Sequence, residues 1–278
     1  SSKNSVGGLK PTIGLLSRTG IVPISSTLDT PGPMAKSVID NAIFLSSLTG
    51  EDSEDETTID NSPNIQYFKE LKSASLKGKR LGVLKPLLSD SIYAATINKI
   101  RNTGAEVIEF DPPNAQLDGF LTLLNIDMKY DLPKYLKNYA DKQIKVSSIE
   151  DIAALNVQDS LKRMPYNQAL FDGIIADSTS LEELEVIKNN LKIQGQFFLQ
   201  SPMEEYNLDA ILSINNYHAS YAAVAKYPCL TVPMGYQNSG EPISLTFIAE
   251  PFKEHDLLKL GYAFEKISKA RKHPVNYK

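Results

Sequence analysis

The sequence predicts an α/β fold: one domain over residues 1–278, with a mixed sheet covered by helices. Three observations predict it. Short apolar runs bounded by Gly and Pro recur along the chain, as buried strands do. Between them lie stretches with apolar residues at three- and four-residue spacing, the pattern of amphipathic helices. Across residues 79–110 the two patterns alternate in the order of a βαβ unit, which requires a sheet with helical cover. A chain of 278 residues is long enough to bury a substantial core.

The elements follow in order. Residues 6–24 read as short strands and tight turns around Gly14, Gly20 and Pro23. A helix is predicted next. Asp29 and Thr30 offer cap oxygens, Pro31 and Pro33 pre-set a first turn, and Met34, Val38, Ala42 and Leu45 share one face until Gly50. Residues 51–64 contain the acidic run from Glu51 to Glu56 and read as a solvated loop. That run lacks the alternating ligands and the glycine of a calcium loop. Residues 79–85 and 106–110 read as strands, the second after a turn at Gly104, and residues 91–102 as a helix. Residues 118–200 are mostly helical in pattern. Tyr130, Tyr135 and Tyr139 share a face there, expected to pack against the sheet, although such a stripe also suits a substrate wall. Residues 208–214, 230–232 and 243–249 read as strands. The last helix, 254–270, turns Leu257, Leu260, Gly261, Phe264 and Ile267 inward.

Composition narrows the function classes. A net charge of -4 supplies no field for nucleic acid, and neither a basic block nor a bilayer-length apolar run points to a membrane. A single cysteine, Cys229, leaves no internal disulfide and no cysteine-based metal site. These features suit a cytoplasmic protein. The sequence opens on Ser1, so it is silent on a targeting segment ahead of that residue.

The residues present offer little chemistry of their own. There is no Gly-x-Ser-x-Gly elbow, no metal-ligand spacing of the His-Glu-x-x-His kind, and no phosphate-cradling glycine run, so no metal or cofactor is expected. His255 sits among charged residues and reads as a surface group, and His273 lies in the basic tail. His218 stands out because Asn215, Asn216, Tyr217 and His218 follow a strand end, where α/β folds place ligand-facing loops. These four are the candidate substrate-binding residues, beside the plainer reading of His218 as a hydrogen-bonded structural group. Cys229 beside Leu230-Thr231-Val232 reads as an inert buried thiol. The serine pairs Ser1-Ser2, Ser25-Ser26 and Ser46-Ser47 lack a glycine-rich turn, and the last is inside a helix, where hydroxyls bond back to the preceding turn. No complete catalytic constellation is present in these residues.

Long stretches nevertheless carry a distinctive pattern. Residues 6–50 read VGGLKPTIGLLSRTGIVPISSTLDTPGPMAKSVIDNAIFLSSLTG, residues 146–156 VSSIEDIAALN, and residues 208–211 LDAI. Residues 223–236 read AVAKYPCLTVPMGY and residues 240–247 GEPISLTF. Together they resemble amidase-signature hydrolases, which cleave amide bonds with a Ser–cisSer–Lys triad, and in particular their peptide-amidase-like branch. The resemblance implies an α/β/α fold around a twisted mixed sheet, N-terminally incomplete here. It also implies an acyl-enzyme mechanism and a small-molecule amide substrate. Nucleophile, cis-serine and lysine all map upstream of Ser1, so no residue of this chain is expected to be catalytic and the chain alone is expected to be inactive. The expected partner is the missing N-terminal part or, through exposed sheet edge and core, a second copy. Arg18, Asp29 and Thr30 match the opening motif and would support it, although a surface pair plus a helix cap explains them equally well. The block from Gly20 to Thr30 fits the hydrolase branch better than the amidotransferase branch. Gly7 replaces a usual β-branched residue, Lys226 and Ser244 replace usual glycines, and Ser213 to Asn216 replace a common Ala-Pro-Thr turn. A non-catalytic remnant or ligand-binding module is the alternative reading.

Overall fold

A computed structural model describes residues 1–58 and 65–274. They fall into two compact units. One draws on Ser1–Ser17, Thr30–Ala115 and Gln194–Lys278, the other on Arg18–Asp29 and Gln116–Ile193.

The first unit holds the sheet. Its strands are β1 (Gly7–Lys10), β2 (Met34–Ala35), β3 (Arg80–Leu84), β4 (Glu106–Phe110), β5 (Ala210–Ile214), β6 (Cys229–Tyr236) and β7 (Pro242–Ile248). They stand in the order β2-β1-β6-β7-β5-β3-β4. β3 pairs parallel with both β4 and β5, and the remaining pairs are antiparallel, so the sheet is mixed. Among the described residues the α-helices are α1 (Val38–Leu48), α2 (Ser91–Arg101), α3 (Phe120–Tyr139), α4 (Ile149–Val157), α5 (Ser160–Arg163), α6 (Ala169–Ala176), α7 (Leu181–Tyr206), α8 (Ala219–Val224) and α9 (Glu254–Ser268).

Two-residue alternation sorts each strand between two faces. Leu9, Leu212, Ile214, Leu230, Val232, Leu245 and Phe247 join one core with Val38 and Leu45 of α1, Tyr93 and Ile97 of α2, and Leu257 and Phe264 of α9. Ile211, Cys229 and Ile248 join a second cluster with Phe198 and Met203 from the later part of α7 and Ala222 of α8. Helices therefore cover both faces, the predicted α/β/α arrangement. Asp90 caps α2, its Oδ1 accepting from the amides of Ile92 and Tyr93, each at 2.9 Å.

The second unit is helical. Leu132, Ile149 and Ile174 form its small core, with Met128, Tyr135 and Phe171 packed against it. Asp127 and Asp131, one turn apart on α3, hold the segment 18–29. Ser25 Oγ donates to Asp127 at 2.5 Å and the Ser26 amide donates to Asp131 at 2.7 Å. Lys188 Nζ lies 3.3 Å from the other oxygen of Asp127 and neutralises that buried carboxylate.

Several expectations need correction. The first long helix starts at Val38, capped by Ser37 Oγ, which accepts from the Asp40 amide. Pro31 and Pro33 fix extended backbone rather than a first turn: the Leu9 amide donates to Pro33 O at 3.0 Å, and Met34 and Ala35 pair with Gly8 and Gly7. Met34 is accordingly 65% exposed, and Asp29 instead accepts from the amides of Ile24 and Ser25 within its own loop. Ile267 is 40% exposed, so the inward stripe of α9 ends at Phe264. Tyr135 packs on the helical core, while Tyr130 and Tyr139 are about half exposed. The strand read at 230–232 extends over Cys229–Tyr236. Within the acidic run Asp55 is buried, its carboxylate accepting from the Thr57 amide and hydroxyl, and residues 59–64 of that predicted loop lie outside the described residues. Among the described residues no helix is long and apolar enough to cross a membrane.

Candidate functional site

The site grows out of strand alternation. Leu212-Ser213-Ile214, Leu230-Thr231-Val232 and Leu245-Thr246-Phe247 each place a hydroxyl residue between two core residues, which turns the hydroxyl to the opposite face. Strand register then aligns them. Gly8 pairs with Thr231, Thr231 with Thr246, and Thr246 with Ser213, giving one row across four strands. The adjoining row is Lys10, Cys229, Ile248 and Ile211. Members of both rows line a cavity of about 280 Å³, together with Ser1, Asn215, Asn216 and His218. A Cβ at position 8 would meet the Ser1 side chain, which would have to shift.

Hydrogen bonds fix this floor. Thr246 Oγ1 donates to Asn215 O at 2.6 Å and lies 3.0 Å from Thr231 Oγ1, so Thr231 is the donor between the two hydroxyls. Asn215 adopts a left-handed backbone (φ 48°), tolerable for asparagine, and its Oδ1 accepts from the Ser244 amide at 2.9 Å. That bond ties the end of β5 to β7 and aims the next residues at the cavity. His218 Nδ1 then stands 2.7 Å from Ser213 Oγ, and its ring stacks on Phe198 with centroids 5.3 Å apart. Burial holds the imidazole below its ordinary pKa, so it is neutral at pH 7. Its Nε2 has no partner among the described residues.

Two further groups on the floor respond to burial. Lys10 Nζ donates to Pro11 O at 3.2 Å and has no ion-pair partner among the described residues, and burial pushes its ammonium pKa down. The carboxylate of nearby Glu254 is engaged elsewhere, accepting from the Thr12 amide at 2.6 Å. Burial pushes the Cys229 thiol up to about 11 despite Lys10. The thiol is buried, as the sequence predicts.

Of the four predicted substrate-binding residues, Asn215, Asn216 and His218 line the cavity. Tyr217 is 58% exposed and is not among the lining residues. Lys10, Thr231 and Thr246 are not among the sequence candidates, and Ser213 enters there only as part of a replaced turn, although the repeated Leu-hydroxyl-apolar triplets are a usable signal. Ser1, Ser2 and Lys10 share the cavity, but no hydrogen bond joins them. Ser46 and Ser47 bond back to Ala42 O and Phe44 O, and Ser25 is engaged by Asp127. His255 is half-buried, its Nε2 3.2 Å from Lys69 O in an exposed contact and its ring edge-on to Tyr67. Among the described residues no group of three His, Cys, Asp or Glu could hold a metal.

Comparison with known proteins gives these features a setting. A family profile described as Amidase matches residues 1–171. A protein of Arabidopsis thaliana described as a probable amidase is 32% identical over 286 residues, covering 99% of this chain and 55% of the relative. The crystal structure of an amidase family protein from Bacillus anthracis superposes with a TM-score of 0.91 at 34% identity, covering 98% of this chain and 55% of that one. The native peptide amidase of Stenotrophomonas maltophilia gives 0.90 at 30% identity, covering 98% of this chain and 60% of its own. The chain thus spans little more than half the length of the relatives it matches. Sequence pattern, sheet order and these likenesses agree: the chain belongs to the amidase-signature family.

Proposed function

We propose that this chain supplies the C-terminal portion of an amide (C–N) hydrolase acting on a small-molecule amide, and that these 278 residues alone do not hydrolyse amides. The observation that carries this reading is the cavity on the hydroxyl row. It holds serines and a lysine, the residue types of the family's relay, yet no hydrogen bond joins Ser1, Ser2 and Lys10 into one. The nucleophile, cis-serine and lysine would come from the N-terminal portion that the longer relatives carry, which makes that portion the partner, with a second copy of this chain as the competing occupant. Within the site Asn216 and His218 would meet substrate, Asn215 would hold their turn, and Tyr217 would close its outer side. Residues 1–278 would act as one domain in the cytoplasm.

One observation favours a second reading. Ser213 and His218 have the spacing of a nucleophile and its base. The test is an assay of the purified chain against acyl anilides and peptide amides. No turnover is expected. Turnover abolished by Ser213→Ala would overturn the proposal in favour of a Ser–His pair.

A further inference from the structure

The cavity contains two hydrogen-bonding groups left without a full set of partners, at opposite ends of its floor. Lys10 lies on β1 and Ser213 with His218 at the end of β5, three strand spacings away, or about 14 Å at the backbone. Lys10 brings an amine whose sole hydrogen-bond acceptor among the described residues is Pro11 O, leaving its further protons unengaged. At the other end the protonation pattern can be assigned. Ser213 is buried, and among the described residues its hydroxyl has His218 Nδ1 as its sole acceptor. A ring proton on Nδ1 would strand the serine O–H, so Ser213 donates to Nδ1 and the ring proton sits on Nε2. His218 therefore offers a neutral N–H to a ligand, while Thr231 and Thr246 between the two ends spend their protons on one another and on Asn215 O.

We propose that this cavity binds a small carboxylate-bearing amide, with the carboxylate at Lys10 and the amide oxygen at His218 Nε2. The proposal rests on the amide-hydrolase reading and deepens it by naming the substrate class. A carboxylate is favoured over a neutral group because it supplies a direct ion-pair partner to an ammonium that has none among the described residues, in a charge-assisted hydrogen bond. The oxygen is placed at His218 because a donor-only contact selects an acceptor. The carbon chain between them would lie over the apolar Ile248 and Cys229, which line the same cavity.

Binding to the 278-residue chain tests this without requiring turnover. The probes are 5-acetamidopentanoate and its neutral N-methyl amide, titrated by calorimetry. The carboxylate is expected to bind about tenfold more tightly than the neutral probe, the size of one charge-assisted contact. Lys10→Met should erase that difference, Lys10→Arg should retain it, and Ser213→Ala should weaken both probes alike. If Lys10→Met does not fold, the comparison rests on the Lys10→Arg chain and on the His218 Nε2 nitrogen resonance, which should move on adding either probe. Equal affinities, no binding of either probe, a preference that survives Lys10→Met, or a still Nε2 resonance would overturn the proposal. An inactive chain that binds the carboxylate leaves it standing, and failure to bind leaves the hydrolase reading to its own assay.

Discussion

Ser213 Oγ stands 2.7 Å from His218 Nδ1, a bond that closes the end of β5 onto the start of α8. It joins the hydroxyl row to the His218 imidazole on the cavity, and the Phe198 ring stacks on that imidazole. The pair thereby converts a sheet feature, set by register, into an oriented hydrogen-bond donor.

The first prediction concerns pH. His218 has its folded pKa lowered from 6.5 by burial, so below about pH 6.5 the unfolded chain takes up a proton that the folded chain resists. The stability tied to the neutral ring is complete above that value and declines as pH falls below it. Urea midpoints measured from pH 7.5 to 5.5 should fall, and His218→Gln should flatten the fall. An identical pH slope in the variant would contradict the assignment.

A second prediction links Gly7 and Asn41. The Asn41 amide is fully buried, neither of its side-chain polar atoms has a hydrogen-bond partner among the described residues, and a Cβ on Gly7 would come within 2.6 Å of its Nδ2. Gly7→Ala should cost about 1–3 kcal/mol by overpacking. Adding Asn41→Ala removes the unpaired amide and the clash together, so the double variant should exceed additivity by about 1 kcal/mol in stability. Strict additivity in chemical denaturation would show that the two residues do not compete for space.

The loop from Arg18 to Asp29 supplies a third. Asp127→Ala would leave the Ser25 hydroxyl and Lys188 without this partner, at a cost of about 2–4 kcal/mol. Limited trypsin digestion should then cut after Arg18 faster than in the parent chain. Equal cleavage rates would mean that α3 does not hold the loop.

Cys229 gives a fourth. With its thiol at about 11 and buried, alkylation by iodoacetamide at pH 8 should run at least about a hundredfold slower than in the unfolded chain. Comparable rates before and after denaturation would place the sulfur in solvent.

Local pattern carried most of the sheet. β3, β4, β5 and β7 announce themselves because each is a short apolar run between turn residues, and α2 and α9 because their apolar spacing is regular. The start of α1 was misread because two prolines suit a helix entry and an extended segment alike, and only pairing with β1 decides between them. The resemblance was informative at position 226, where Lys226 holds the left-handed φ of 63° that explains the usual glycine. The cavity was half legible. Asn215 to His218 follow a strand end and can be found from one segment. Lys10, Thr231, Thr246 and Ser213 come from four strands whose alignment depends on register, which no single segment encodes.

A chimera carries the decisive measurement: the N-terminal portion of a longer amidase relative joined ahead of Ser1, assayed for kcat and KM on a peptide amide. Hydrolysis is predicted in the chimera and absent from the 278-residue chain, with His218→Gln and Asn216→Ala raising KM more than they lower kcat. A folded chimera without activity, or one whose KM ignores both substitutions, would contradict the assignment of this cavity to substrate.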